Sequence, residues 1–387
     1  MLQNGLKDRA RNNISLLDSM VQGTSALVKS GVTDSPSTII CYPIALGNPF
    51  QKMLYNRSIP NGFFVTGTNN LEELGEIKWP WPVYLHIHWL GDVLRGVESE
   101  FVASSRINTF VTHLKNFVEN GGRILWTVHN TLPHDSILSL SEMKLRTEVS
   151  NLCHSFHIMN KETPELAAKF FRIPRERCFF TPHPSYEGFY PRTVSREEAR
   201  IELGIESDEF VFLFFGSIQH YKGLDDLVAA YQKVKSQINK KTRLIVAGQP
   251  SNPSEHQHTI EMANSDENID LHIRRIGLEE VQIFFEASDV CVCPYRKTLN
   301  SGITLLSHTF SIPVIGPDTA SFKETIGEEG GLLFEYGNFD SLCETLVYST
   351  EFSLNLQRKW ISENIKSLNC QAISEIFFEK LVSMGRN

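Results

Sequence analysis

The 387-residue sequence predicts an α/β protein of two doubly wound domains. Three observations carry that expectation. Apolar strand-like runs alternate with helical stretches long enough to cross back over a sheet, which implies parallel sheets covered on both faces. The alternation pauses in a stretch rich in proline and aromatic residues, "TPHPSYEGFYPRTVS" (181–195), and then restarts. The length also exceeds what one core of ordinary size takes. Residues 1–36 read as an N-terminal helical extension, 37–185 as the first domain and 196–365 as the second. Residues 366–387 read as a C-terminal helix packing back on the first domain.

In the extension, Leu16, Leu17, Met20 and Val21 share a helical face. "TIICYPI" (38–44) is a strand and "NPFQKMLYNRS" (48–58) a helix; "GFFVTG" (62–67) and "VYLHIHW" (83–89) are strands. "RINTFVTHLKNFVENGG" (106–122) is a helix stopped by Gly121 and Gly122. Strand "RILWTVHN" (123–130), helix "EMKLRTEVSNLCH" (142–154) and strand "SFHIMN" (155–160) complete the first series. The second comprises strand 210–217, helix 223–236, strand 242–249, strand 271–277, helix 278–288, strand 290–295, a helix inside 295–315 and strand 313–317. A last helix spans 372–384. Two such domains are expected to face each other across a cleft at the carboxyl ends of their strands.

Hydrophobic residues at 41% and charged residues at 21% fit a soluble globular chain. A net charge of −8 argues against nucleic acid as a partner, because phosphate neutralisation needs a basic face. The seven cysteines show no paired metal spacing and read as reduced core residues. No run approaches the ~20 apolar residues that span a bilayer, and the start lacks a signal-peptide pattern. The expected location is cytoplasmic.

The main chemical signal is "FFGSIQHYKG" (214–223). A buried strand runs into Gly216 and Ser217, Gln219 follows in a short loop, and Lys222-Gly223 opens a helix. Backbone N–H groups, a helix N-terminus and a lysine together suit an anion. The stretch is neither GxxxxGK[ST] nor GxGxxG, so a nicotinamide cofactor is not expected. The second signal is "YRKTLNSGITLLSHTFSIPVI" (295–315), which begins at Tyr295. There Asn300, Ser301, Gly302, Ile303 and Thr304 form another loop entering an apolar helix, with Ser301 a good N-cap. Two such helix starts in one domain suit a diphosphate.

The first half supplies polar residues at strand ends. Gly47 and Asn48 end the first strand region, where their backbone suits a phosphate. "LHIHW" puts His86 and His88 on one strand face, with Trp89 and Asp92 just beyond. "WTVHNTLPHD" adds His129, Asn130, His134 and Asp135. Asp92, His88 and His129 are the catalytic candidates, with Asp135 a further possible base. His88, His129 and His134 also allow a zinc reading, which is the lesser one. His183 reads as a hinge residue. Trp79, Trp81 and Trp89 read as packing before a ring-stacking platform, and Glu324 as a better candidate for a polar contact than Glu328 or Glu329.

These motifs resemble, in order and spacing, the donor half of GT-B glycosyltransferases, enzymes with two Rossmann-like domains that use nucleotide sugars. "FGSIQHYKGLDDLVAAY", "LIVAGQ", "VQIFFEASDVCVCPY" and "GITLLSHTFSIPVIGPD" carry the likeness over roughly 205–340. The chain looks family 4-like but divergent. Alignment on Gly302 places Leu299, and a residue near Ser307, where the retaining branch has the two glutamates of E-x7-E; Ser217 and Gln219 stand where that branch has an arginine. "PYR…SG" and "TVHN" resemble bacterial exopolysaccharide mannosyltransferases. The resemblance implies transfer of a hexose, with GDP-mannose favoured, to a glycan or lipid-linked acceptor in surface polysaccharide synthesis. It implies no metal and no cofactor, the nucleotide diphosphate sugar being a substrate. A lipid-linked acceptor would bring peripheral contact with the inner face of the membrane. A nucleotide-sugar epimerase and a catalytically inactive glycosyltransferase-like partner protein are the alternatives. Whether transfer retains or inverts configuration stays open.

Overall fold

The computed structural model describes residues 14–75, 78–132, 138–327, 329–351 and 354–385. The chain divides into two compact units, Met1–Pro184 with Cys370–Asn387, and Ser185–Asn369. The first contains β1 (Ser37–Tyr42), β2 (Phe63–Gly67), β3 (Val83–Ile87), β4 (Arg123–Thr127), β5 (Ser155–Ile158) and β6 (Cys178–Phe180). The second contains β7 (Phe210–Phe215), β8 (Thr242–Ala247), β9 (Ile269–His272), β10 (Val290–Val292), β11 (Val314–Pro317) and β12 (Gly331–Phe334).

All pairings are parallel, in the orders β2-β1-β3-β4-β5-β6 and β12-β11-β10-β7-β8-β9. Strands buried on both faces explain the uninterrupted apolar runs, such as "FVFLFF" in β7. Each sheet has one place where successive strands depart in opposite directions: between β1 and β3 in the first, between β7 and β10 in the second. Open α/β sheets bind ligands outside the carboxyl ends of the strands at such switch points. Four loops therefore matter: those after β1, β3, β7 and β10.

Several elements depart from the sequence expectations. The helix Leu16–Lys29 is capped by Ser15, whose Oγ accepts from the Asp18 N–H at 3.1 Å. It buries Leu16, Met20, Gly23 and Leu27, while Leu17 and Val21 are exposed. The helix lies close against the sheet at Gly23, where a Cβ would stand 2.2 Å from the Phe64 ring. The helix expected from 106 begins at Glu100. β6, β12 and the helices Pro253–Asn264, Ala320–Ile326, Phe339–Ser349 and Asn355–Asn364 are additions to the predicted series. All seven cysteines are free. Among the described residues no helix is long and apolar enough to cross a membrane.

The helix Cys370–Gly385 covers one face of the first sheet. Its Phe377 stacks on His86 at 5.7 Å and meets His157 at 5.2 Å, while Phe378 packs on Phe63 at 4.9 Å. Ser374 ties it down, accepting from the Arg57 N–H at 2.9 Å and donating to Leu54 O at 2.7 Å.

Candidate functional site

At the switch point of the second sheet, β7 is followed by Gly216, whose φ of 104° is open mainly to glycine. Gly248 abuts it so closely that a Cβ there would sit 1.8 Å from Gly216 O. Lys222 follows in a short 3-10 turn held by its N–H donating to Gln219 O at 2.9 Å. Its side chain is buried, donates to Ser217 Oγ at 3.2 Å and lies 5.8 Å from the centre of the Tyr295 ring. Among the described residues no carboxylate pairs with it. The nearby Asp225 and Asp226 are held by Arg296, at 2.7 and 2.9 Å. Burial lowers the Lys222 ammonium to about 8. A buried cation with only a hydroxyl and an aromatic ring beside it is costly unless an anion joins it.

The second helix start closes on the same point. A Cβ on Gly216 would meet Ile303 Cδ1 at 3.2 Å and Lys222 Nζ at 3.3 Å, so these three residues enclose one small space. Ser301 caps the helix Gly302–Thr309, accepting from the Thr304 N–H at 3.4 Å. The Thr304 hydroxyl is buried without a hydrogen-bond partner. Gly302 lies against Tyr186, where a Cβ would be 2.8 Å from the phenol oxygen. Tyr295 is buried, and burial raises its hydroxyl well above the ordinary range. Asn300 receives the Thr298 hydroxyl on its carbonyl at 2.9 Å. Together these groups offer a cation, a helix N-terminus and a hydroxyl donor to a phosphate-sized anion. Leu299 is buried, and the buried Ser307 donates to Ile312 O at 2.8 Å, so neither aligned position presents a free polar group.

In the first unit a row of hydrogen bonds crosses the interior beneath the C-terminal helix. His129 Nε2 lies 3.3 Å from His88 Nδ1, and His88 Nε2 lies 2.7 Å from the Tyr55 hydroxyl. That hydroxyl is 2.6 Å from His86 Nδ1, and His86 Nε2 is 2.6 Å from Thr127 Oγ1. Thr127 Oγ1 is 2.9 Å from His157 Nδ1, and His157 Nε2 is 2.6 Å from Thr181 Oγ1. Burial, reinforced by the neighbouring imidazoles, holds His86, His88 and His129 well below the usual histidine value; His157 is lowered to about 3. All four are neutral at physiological pH.

His129 sits just beyond the end of β4, stacked on Trp89 at 4.5 Å and half-buried, whereas His88 is enclosed. Asp92 lies in the loop after β3, exposed and ion-paired with Arg95; burial first, and the Asp92 charge second, push the Tyr42 hydroxyl up to about 12. Gly47 is exposed, and Asn48 caps the helix Pro49–Leu54 by accepting from the Phe50 N–H at 3.0 Å. His183 Nδ1 donates to Pro184 O at 2.7 Å, and burial lowers its pKa to about 4. Trp81 donates to Thr38 Oγ1 at 3.0 Å. His134, Asp135 and Glu328 lie outside the described residues. Among the described residues no group of three His, Cys, Asp or Glu is placed to hold a metal ion.

Sequence reasoning missed Tyr55, Thr127 and Thr181, which link the histidines. A faint signal exists for Thr127, a polar residue at an inward position of an otherwise apolar strand; Tyr55 follows a short helix and Thr181 lies just past β6.

The model of the family "Glycosyl transferases group 1" matches residues 195–366. A GDP-mannose:glycolipid 4-beta-D-mannosyltransferase of Xanthomonas campestris is 24% identical over 260 residues, 66% of this chain and 68% of that protein. Among solved structures, sucrose-phosphate synthase from Thermosynechococcus elongatus superimposes with a TM-score of 0.67 at 16% identity, covering 91% of this chain and 99% of that one. Anabaena HepE, solved with UDP and glucose, gives 0.62 at 13% identity over 90% and 100%. The sequence likeness lies with bacterial GDP-mannose mannosyltransferases, and the structural likeness establishes the fold of two Rossmann-like domains.

Proposed function

We propose that the chain, which matches the group 1 glycosyl transferase model over residues 195–366 and has the GT-B architecture, moves mannose from GDP-mannose to a glycan or lipid-linked saccharide acceptor in surface polysaccharide synthesis. The observation that carries the reading is the buried Lys222, unpaired with any carboxylate among the described residues and enclosed with Gly216 and Ile303 at the start of a capped helix. Lys222, the N–H groups after Ser301 and the Thr304 hydroxyl would hold the diphosphate and stabilise it as it leaves. Tyr295, Asn300, Ser217 and Gln219 border that place.

A beta-mannoside made from alpha-linked GDP-mannose requires inversion, and inversion calls for a base. In that step the acceptor O–H gives its proton to the base, the oxygen bonds to the anomeric carbon, and the bond to the diphosphate breaks with its electron pair. His129, neutral and at a strand end, is our choice; His88 would hold it in place, and Asp92 is the competing base. No glutamate is needed at Leu299 or Ser307 in such a reaction.

The test is thermal stabilisation by GDP, UDP and their mannose, glucose and N-acetylglucosamine conjugates, in wild type and Lys222→Ala. A rise in Tm selective for GDP-mannose and absent from the variant supports the reading. No response to any of them would sink it. Turnover of donor without acceptor to a rearranged sugar would instead favour the epimerase, and binding without turnover the inactive partner protein.

A further inference from the structure

The helix that follows Lys222, Leu224–Val234, meets two opposed demands. Its N-cap is Gly223, which has no side chain to accept from the first N–H groups. The opening turn carries Asp225 and Asp226 instead, and carboxylates in a first turn offset the positive end of the helix dipole. That suits the helix and works against the site. A phosphate drawn to the buried Lys222 meets two negative charges within one helical turn of it.

Arg296 removes the conflict. It belongs to the loop after β10, the same loop that leads to the Ser301 cap, and its side chain crosses to the other helix start. Its Nη2 lies 2.7 Å from Asp225 Oδ2 and 2.8 Å from Asp226 Oδ2, and its Nε donates to Asp226 Oδ2 at 2.9 Å. Its Nη1 donates to His220 O at 3.2 Å, and its backbone N–H to Tyr221 O at 2.7 Å. Its carbonyl accepts from the Tyr336 hydroxyl. All three guanidinium nitrogens thus have acceptors on the loop and helix that follow β7, so what Arg296 adds to the site is charge rather than a free donor. The two loops also touch closely: a Cβ on Gly223 would stand 2.1 Å from Pro294 O.

We infer that Arg296 is a positioning residue for the diphosphate: it neutralises Asp225 and Asp226, so that these carboxylates complete the helix without repelling the anion at Lys222. The inference rests on the reading of Lys222 as a diphosphate site, whichever nucleoside the donor carries. The three side chains are partly exposed, so salt should weaken the effect.

The experiment is calorimetric titration of the full chain with GDP and with UDP, at low and at high salt. The cluster of one arginine and two aspartates carries a charge of −1 in wild type. Arg296→Gln makes it −2, Asp225→Asn with Asp226→Asn makes it +1, and the triple variant makes it 0. Affinity at low salt should follow that order, weakest in Arg296→Gln, then wild type, then the triple variant, and tightest in the asparagine pair. Arg296→Gln should weaken the preferred nucleotide about tenfold at low salt and less at high salt. A direct contact between Arg296 and the nucleotide would instead leave the triple variant as weak as Arg296→Gln. A purely mechanical tie between the loops would place all three variants below wild type. Either pattern, or an unchanged Kd in Arg296→Gln, would overturn the inference. Should Arg296→Gln alone not fold, the triple variant, which leaves neither aspartate charged, still decides: binding weaker than wild type overturns the inference, and binding at least as tight supports it. Wild type that binds neither nucleotide would remove the diphosphate reading and the inference with it, whereas a broken order beside normal wild-type binding removes the inference alone.

Discussion

In the first unit, four neighbouring strands carry His86, Thr127, His157 and, just past β6, Thr181 into the interior, whereas the second unit fills its sheet with Phe212, Phe214, Leu244, Val246, Val292 and Ile315. The second unit is not short of charge; it gathers it at the other end of the strands. Asp289 accepts from Arg196 at 2.6 Å, Arg200 at 2.9 Å and the Val211 N–H at 2.8 Å. One unit is thus threaded by neutral groups that satisfy one another in a line, and the other is pinned by an ionic knot away from its ligand loops. A line of neutral hydrogen bonds tolerates no extra proton. An ionic knot tolerates acid longer.

Acid should separate the units most strongly. The folded pKa values of His86, His88 and His157 lie below the unfolded value near 6.5, so below that pH the unfolded chain binds the additional protons. Stability present above pH ~6.5 is therefore lost as the pH falls towards the folded values, at about 1.4 kcal/mol per pH unit for each such histidine. Trp79, Trp81, Trp89 and Trp126 lie in the first unit and only Trp360 in the second. Tryptophan fluorescence should accordingly report unfolding between pH 6 and 4 (roughly), before nucleotide binding by the second unit is lost. Coincident loss of both signals would erase the contrast.

Next in size is the knot. Asp289→Ala leaves the buried Arg200 without its carboxylate and should cost about 3–5 kcal/mol, measured by urea denaturation with the first-unit fluorescence transition unmoved. Lys222→Met should do the reverse: unchanged or raised Tm, because a buried ammonium is removed, with a loss of about 10²–10³ in kcat/KM as for other donors to a developing anion. A lowered Tm would mean that Lys222 serves packing rather than a ligand. The smallest effect, at Leu17, comes from a pair that tests the N-terminal helix. Met20→Ala should cost about 2–5 kcal/mol and Leu17→Ser within about 0.5 kcal/mol, although periodicity alone ranked the two together.

That last pair shows where the sequence was legible. Strand runs closed by glycine, such as "FFGS", and helix starts such as "NSGIT" mark the loops at the second switch point, because backbone geometry demands those residues. β6 is hidden because it has only three residues beside a proline-rich stretch. The helix Pro253–Asn264 is hidden because "PSEHQHTIEMAN" offers few apolar positions to show a period. Nor does sequence reveal that Lys222 is buried, since lysine is ordinarily exposed. The row is least visible of all: Tyr55 comes from the end of a short helix and Thr181 from the edge of the sheet, and only tertiary packing brings them to the histidines.

The return of the chain to its first unit has a consequence for how the protein is made. Phe377, Phe378 and Leu381 are buried in one core with strand residues such as Phe63 and Phe179, synthesised about 200 to 315 residues earlier. At about 1.5–3 kcal/mol for each apolar side chain, they supply an amount comparable with the whole stability of an ordinary domain. On the ribosome the second unit can therefore finish while the first still waits for its final helix. A chain arrested before Cys370 should resist protease over 185–369 and be cut within 37–180, and adding a synthetic peptide of residues 370–385 should close those sites.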